Sequence, residues 1–375
     1  MLVWYNKDGS KGSDLMESVY IHIPFCKSIC SYCDFCKMLY NGPWVTQYLN
    51  ALIKEIQDKY LGEEIKTLYI GGGTPSALSI KDLRYLFEII SGFNLEKLEE
   101  FTFECNLNDI EEELLQLLRE NKVNRLSIGI ESFNAAKLKF MERNHTFEEA
   151  KKKMKLIRKS GFDNVNVDLI YGIPGESLKD LKKDLELILK LEPDHISTYS
   201  LIVEDNTKIG ISGVLPIPEE LDASMYEYIV DRLEMKKYKH YEVSNFSLKN
   251  KESKHNLQYW NNNEYYGFGL GAHGYIHGVR YENTRNLTKY VNGEFLKSEE
   301  MLSKEDKMYN ELMLGFRKME GISLREFFLK YEINMQEAFD LHQVLKDEEL
   351  IVDGEYIYVN PLYIYVMNEI LIKIL

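Results

Sequence analysis

Six short runs of apolar, β-branched and aromatic residues recur along the first half of the chain, at 18–23, 66–70, 100–103, 125–130, 165–170 and 195–201. Between them lie longer stretches in which apolar residues return with helical spacing, at 45–60, 80–90, 111–120, 147–160 and 178–191. The first pattern predicts strands and the second predicts amphipathic helices. Their alternation, about every 25 to 45 residues, predicts βαβ units, a parallel sheet and an α/β fold. Six such strands form either an open doubly wound sheet or a partial barrel, and periodicity does not separate the two. Both architectures place function in the loops beyond the carboxyl ends of the strands.

The pattern changes after a turn-rich stretch at 207–218. A helix is expected near 222–236, followed by an aromatic and Asn-rich segment, "HNLQYWNNNEYYGFGLGAHGYIHG". From residue 304 onward helices lead into "ELIVDGEYIYVN", where Asp353-Gly354 suits a two-residue hairpin turn. The expected organisation is a core at 1–235, a connecting segment at 236–300 and a small, mainly helical domain with a hairpin wing at 301–375.

Composition narrows the classes. A chain of 375 residues with 45% hydrophobic content can bury a large core. Its 46 basic and 60 acidic side chains give a net charge of −14. Such a surface repels phosphate backbones, and the wing lacks the Lys/Arg cluster of a DNA reader, so no nucleic-acid partner is expected. The amino terminus has no secretory pattern, and no apolar run reaches the ~18 residues of a membrane helix. A cytoplasmic protein with reduced thiols follows as the expectation, with membrane association only through partners.

Four of the five cysteines fall between Cys26 and Cys36. Thiols packed so closely suit a zinc ion or an iron–sulfur centre. Cys26, Cys30 and Cys33 form one set, and Cys36 either completes a four-thiolate site or stands outside it. "GGGTPS" follows the second strand; Gly71, Gly72 and Gly73 let backbone pass close to a ligand, without the spacing of a Walker or dinucleotide loop. Glu104, Glu131 and Asp168 end neighbouring strands as carboxylates able to hold an ammonium or ribose hydroxyls. Arg143 is suited to bind a carboxylate.

With these residues in view, the chain resembles the radical S-adenosylmethionine enzymes. Within them it is similar to the group comprising oxygen-independent coproporphyrinogen III dehydrogenases and HemW-type heme chaperones. The motifs that carry the likeness are "YIHIPFC" with its C-x3-C-x2-C loop, "GGGTPS", "FECN", "RLSIGIESF", "NVDLIYGIPGES", "HISTYSL" and "HNLQYWNNNEYYGFGLGAH". The resemblance implies a partial (β/α)6 TIM-type barrel followed by a small winged carboxyl-terminal domain. It implies a [4Fe–4S] cluster on Cys26, Cys30 and Cys33, one iron being left to S-adenosylmethionine. Tyr20, Gly72, Gly73, Thr74, Glu104, Arg143 and Asp168 match positions that line that cofactor's site, and Tyr32 is placed with them. Glu131 stands where the group usually has Gln.

Phe35 stands where the dehydrogenases carry a further cysteine, so Cys36 matches neither branch and reads as a bystander. His255 opens an HNxxYW run associated with heme contact, whereas His273 and His277 read as loop residues. The resemblance therefore implies a chaperone that delivers heme to acceptor hemoproteins, with an electron donor for the cluster. The alternative is oxidative decarboxylation of coproporphyrinogen III, and whether the chain is an enzyme stays open. A non-family Fe–S or zinc protein with Cys36 as fourth ligand is the third reading.

Overall fold

The computed structural model describes residues 16–375, which form two compact units. The first comprises the chain to Met225 together with Glu264–Glu300; the second comprises Tyr226–Asn263 and Met301–Leu375. The stretch expected as a connecting segment, 236–300, is thus shared between the units.

In the first unit, strands β1 (Ser18–Ile23), β2 (Thr67–Gly72), β3 (Glu100–Asn106), β4 (Arg125–Glu131), β5 (Val165–Tyr171) and β6 (His195–Ser200) lie side by side in that order. All five pairings are parallel. The connections between these strands carry helices α1 (Gly42–Lys59), α2 (Ile80–Ile90), α3 (Glu112–Glu120), α4 (Phe147–Lys159) and α5 (Leu178–Leu189). A seventh strand, β7 (Tyr266–Phe268), returns from late in the chain and pairs parallel with the other side of β1. That pairing is why residues 264–300 belong to the first unit. Among the described residues no pairing closes β6 onto β1, so the parallel arc is a partial barrel.

The helix starts follow local chemistry. Asn41 caps α1 by accepting from the Trp44 amide, and Pro43 occupies the first turn, so the helix begins three residues before the expected position 45. Thr146/Glu149 and Ser177/Asp180 form capping boxes on α4 and α5. One face of the sheet is aliphatic and aromatic throughout. Val19, Ile21, Leu68, Ile70, Phe101, Phe103, Leu126, Ile128, Val165 and Val167 are all fully buried there. Phe87 of α2 sits against Phe101 and Phe103 with ring centroids 6.3 and 6.2 Å away. The alternate positions carry polar side chains and build the site. β2, β3, β4 and β5 each run past the expected ends, to Gly72, Asn106, Glu131 and Tyr171, because the parallel ladder continues there, as in Ile23↔Gly72, Glu104↔Ser127 and Tyr171↔Ser200.

The second unit holds the helices Lys254–Trp260, Lys304–Gly315 and Leu324–Tyr331 and a three-stranded sheet in the order Ile322–Ser323, Tyr356–Val359, Leu350–Asp353. The hairpin wing is present, one residue displaced from expectation. Asp353 pairs with Tyr356, so the turn is Gly354-Glu355, with Gly354 at φ +60° in the first central position. No helix among the described residues is long and apolar enough to cross a membrane.

Candidate functional site

The cysteine loop leaves β1 at Pro24 and is closed by two short backbone bonds, from the Met38 amide to Pro24 O (2.7 Å) and from the Tyr40 amide to Cys26 O (2.8 Å). Cys26 is buried and accepts a hydrogen bond from the Thr74 hydroxyl at 3.4 Å. Burial raises the Cys26 thiol to about 11 despite that bond, and it also raises Cys33. Cys26 feels both Cys33 and Cys30 as neighbouring charges. Cys36 turns elsewhere: a side chain added at Gly271 would meet its Cβ at 2.8 Å, and Arg285 is the first charge acting on it. Phe35 projects outward, 70% exposed.

The donor chemistry fits an iron–sulfur cluster better than a single ion. Among the described residues no three His, Cys, Asp or Glu side chains are gathered to hold one metal ion. A single zinc needs every sulfur about 2.3 Å from one point. Cluster thiolates are spread over several irons, a demand that three thiols of one loop, with Cys33 and Cys30 both acting on Cys26, can meet.

His22 ties β1 to this loop. Its Nε2 donates to Cys36 O at 2.7 Å, which leaves Nδ1 to accept from the Tyr20 hydroxyl at 3.0 Å. Burial lowers His22 to about 4, so it serves as a neutral bridge. The glycine loop is pinned to the same segment, Gly73 N to Ile23 O and Thr74 N to Phe25 O, both 2.9 Å. Its glycines are sterically required. A Cβ on Gly72, at φ +113°, would lie 2.5 Å from the His22 ring; one on Gly73 would lie 2.8 Å from Pro24.

Glu104 accepts from the Tyr69 hydroxyl at 2.7 Å and from the Gly72 amide at 3.1 Å. Burial nevertheless raises it to about 7, with Asp168 adding to the rise. Asp168 is raised by burial too, against hydrogen bonds from Asn166 and Ser197. Glu131 has φ +67° at a register break and forms a buried ion pair with Arg143 Nη2 at 2.8 Å. Gly129 makes the pair possible, since a Cβ there would stand 2.8 Å from Glu131 and 3.0 Å from Arg143. Burial lifts Glu131 to about 7 even beside that cation. Arg143 is held charged by Glu131 and Tyr32, which outweigh its own burial, and it donates to Gly129 O at 2.8 Å. The guanidinium suited to an incoming carboxylate thus already has one.

The structure therefore brings Tyr20, Tyr32, Gly72, Gly73, Thr74, Glu104, Glu131, Arg143 and Asp168 to the same strand ends and loops as the three cysteines. It adds residues that sequence reasoning passed over: His22, Tyr69, Arg125, Asn166 and His195. His195 Nδ1 meets Asn166 Oδ1 at 2.6 Å, and Asn166 donates to Ser127 at 2.9 Å. The overlooked signal was the alternation Tyr-x-His, Thr-x-Glu, Arg-x-Ser, Asn-x-Asp and His-x-Ser within strands that helices flank. Parallel strands covered on both faces read as continuous apolar runs. Polar alternation there marks a face turned toward a ligand.

His255 lies in the second unit. It is fully buried in the helix Lys254–Trp260, and Nε2 is 2.8 Å from the Tyr259 hydroxyl one turn on. Trp260 covers Arg317 at 4.7 Å from ring centroid to guanidinium, with its indole N–H buried and unpaired.

Comparison with known proteins places these features. The model of the Radical SAM superfamily matches residues 20–188, and that of the HemN C-terminal domain matches residues 302–362. The chain is 40% identical to the heme chaperone HemW of Lactococcus lactis over 96% of this chain and 97% of that protein. It is 39% identical to HemW of Bacillus subtilis over 88% and 91%, and 34% identical to HemW of Escherichia coli over 83% and 85%. Among solved structures, the radical SAM enzyme coproporphyrinogen III oxidase (HemN) of Escherichia coli superposes with a TM-score of 0.84, covering 96% of this chain and 90% of that one. At 21% identity that likeness describes the fold.

Proposed function

This chain belongs to the HemW family of the radical SAM superfamily, and we propose that it is a heme chaperone that binds heme and hands it to acceptor hemoproteins. The observation that carries the reading is end-to-end similarity to HemW proteins, at 40% identity over 96% of the chain. Phe35 in the cluster loop and the HNxxYW run at His255 agree with that branch.

Cys26, Cys30 and Cys33 would hold a [4Fe–4S] cluster, with Thr74 donating to the Cys26 sulfur. When bound, the cluster supplies a redox centre and an iron open to the amino and carboxyl groups of S-adenosylmethionine. Glu104 is placed to accept from an ammonium or a ribose hydroxyl while Gly72 and Tyr69 fix its rotamer. Asp168 is oriented by Asn166 at 2.8 Å and offers a second acceptor. His22 and Tyr20 hold the cysteine loop against β1. An electron donor for the cluster, cytoplasmic residence and membrane association only through partners form part of the same proposal.

His255 is the proposed heme contact. Its Nε2 must leave Tyr259 before it can meet iron. Heme titration of reconstituted protein tests this: wild type binds saturably, His255→Ala loses the iron-ligand spectrum, and Tyr259→Phe binds more tightly because the competing bond is gone. Absence of saturable binding by the wild type overturns the chaperone reading. Anaerobic incubation with coproporphyrinogen III and reductant is expected to yield no protoporphyrinogen.

A further inference from the structure

Arg125 opens β4 and is 2% exposed, yet it is poorly satisfied. Its one hydrogen bond, Nη1 to the Thr102 hydroxyl, is 3.4 Å long, and Nε has no partner. No carboxylate lies within ion-pairing distance of it among the described residues. A buried guanidinium in that condition is costly, and burying a cation without a partner calls for a reason. The reason lies on the polar face of the sheet. Arg125 pairs with Thr102 and Ser127 with Glu104, so Arg125 stands two residues below Glu104's partner on the same face of the sheet. Its charge favours the ionised form of Glu104 and, together with Arg143, of Asp168.

The other charged and titratable groups of that face do not substitute for it. Arg143 is committed to Glu131 at 2.8 Å. His22 of β1 and His195 of β6 are held neutral by burial, and His195 is fixed on Asn166. Tyr20 and Tyr69 are pushed above the ordinary tyrosine range, burial first, and so remain protonated. Glu100, on the other side of the Thr102 hydroxyl at 3.4 Å, adds negative charge.

We propose that Arg125 is the positioning residue of this site, a cation set beneath Glu104 and Asp168 on the same face that draws both toward the carboxylate form against their burial, for the cationic groups of S-adenosylmethionine. The inference rests on the reading of Glu104 and Asp168 as cofactor-binding residues. Arg125 touches no ligand in this scheme and acts only through its charge.

The test is the pH dependence of S-adenosylmethionine affinity, measured by calorimetry on cluster-reconstituted protein. Arg125→Met is expected to weaken binding at neutral pH several-fold and to recover at higher pH, its midpoint raised by about one unit, the low end of the effect of losing a nearby opposite charge. Thr102→Val removes the hydroxyl, keeps the charge, and is expected to leave the midpoint in place. Binding by Arg125→Met that is weaker to the same degree at every pH, or an equal displacement in Thr102→Val, overturns the proposal. Should Arg125→Met fail to fold, Arg125→Lys carries the test: an unmoved midpoint supports a charge role, and an upward shift refutes it. Glu104→Gln separates the two levels. Unchanged affinity in that variant removes the underlying site reading, whatever Arg125 does.

Discussion

Replacing Glu131 by Gln asks whether burial or pairing wins at the most enclosed ion pair of the site. Glu131 is 5% exposed and 2.8 Å from Arg143, and burial places its carboxyl at about 7 against an ordinary 4.5. Protonation is therefore favoured in the folded state. The stability linked to it is complete below the unfolded value near 4.5 and is lost as pH rises through about 7. At 1.36 kcal/mol per unit, the displacement is worth about 3 kcal/mol. Gln mimics the protonated side chain at every pH and keeps an acceptor for Arg143. The variant and wild type should be equally stable near pH 4.5, and Glu131→Gln should gain up to about 3 kcal/mol over wild type above pH 7. Urea unfolding of the cluster-free protein across that window, compared at matched pH, measures it. A variant that instead loses stability relative to wild type as pH rises would show that the pair outweighs its desolvation, and the reasoning would fail.

Three further outcomes follow from single features. Cys36→Ser should reconstitute with full iron content and an unchanged visible spectrum, whereas Cys33→Ser should lose the cluster; the reverse result would put Cys36 in the ligand set. Gly72→Ala should destabilise by about 1 to 3 kcal/mol from backbone strain alone, with an added cost for the 2.5 Å approach to His22, read as a lowered urea midpoint. Lys137 is buried between Glu176 (2.6 Å) and Asp184 (3.0 Å), so Lys137→Met should cost about 3 to 5 kcal/mol by stranding two acids. Replacing all three by apolar residues should recover most of that loss, and thermal unfolding of both variants decides it.

The six strands and five intervening helices were legible because each buries one apolar face with its own period. Errors were of one or a few residues and had local causes: the Asn41 cap, the Gly354 turn, and polar strand ends that propensity alone assigns to loops. The division into units was not legible. β7 carries only Tyr266–Phe268 and joins the sheet from more than 240 residues beyond β1, a pairing that no local pattern announces. The three thiols, the glycine loop and the strand-end acids could be listed from the sequence. Their mutual commitments could not. That Arg143 is taken by Glu131, that Tyr20 is tied to His22, and that His255 faces Tyr259 are facts of side-chain geometry.

The charge of the polar face gives those commitments a common sense. Glu100, Glu104, Glu131 and Asp168 stand against two guanidiniums, Arg125 and Arg143, and the histidines on it are neutral. Burial alone would drive such an excess of acid to protonate, and it does raise Glu104, Glu131 and Asp168. An apolar ligand would gain nothing from that arrangement. S-adenosylmethionine carries a sulfonium and an ammonium against one carboxylate, a net positive charge that an acid-rich face can accept. Binding it should lower the carboxyls again, so uptake at neutral pH should release protons, with the number falling as pH rises above about 7. Calorimetry in buffers of different ionisation heat counts them. Uptake without proton release below pH 7 would mean that Arg125 and Arg143 already hold the acids ionised in the free protein against their burial, and the expectation of coupled proton release would fail.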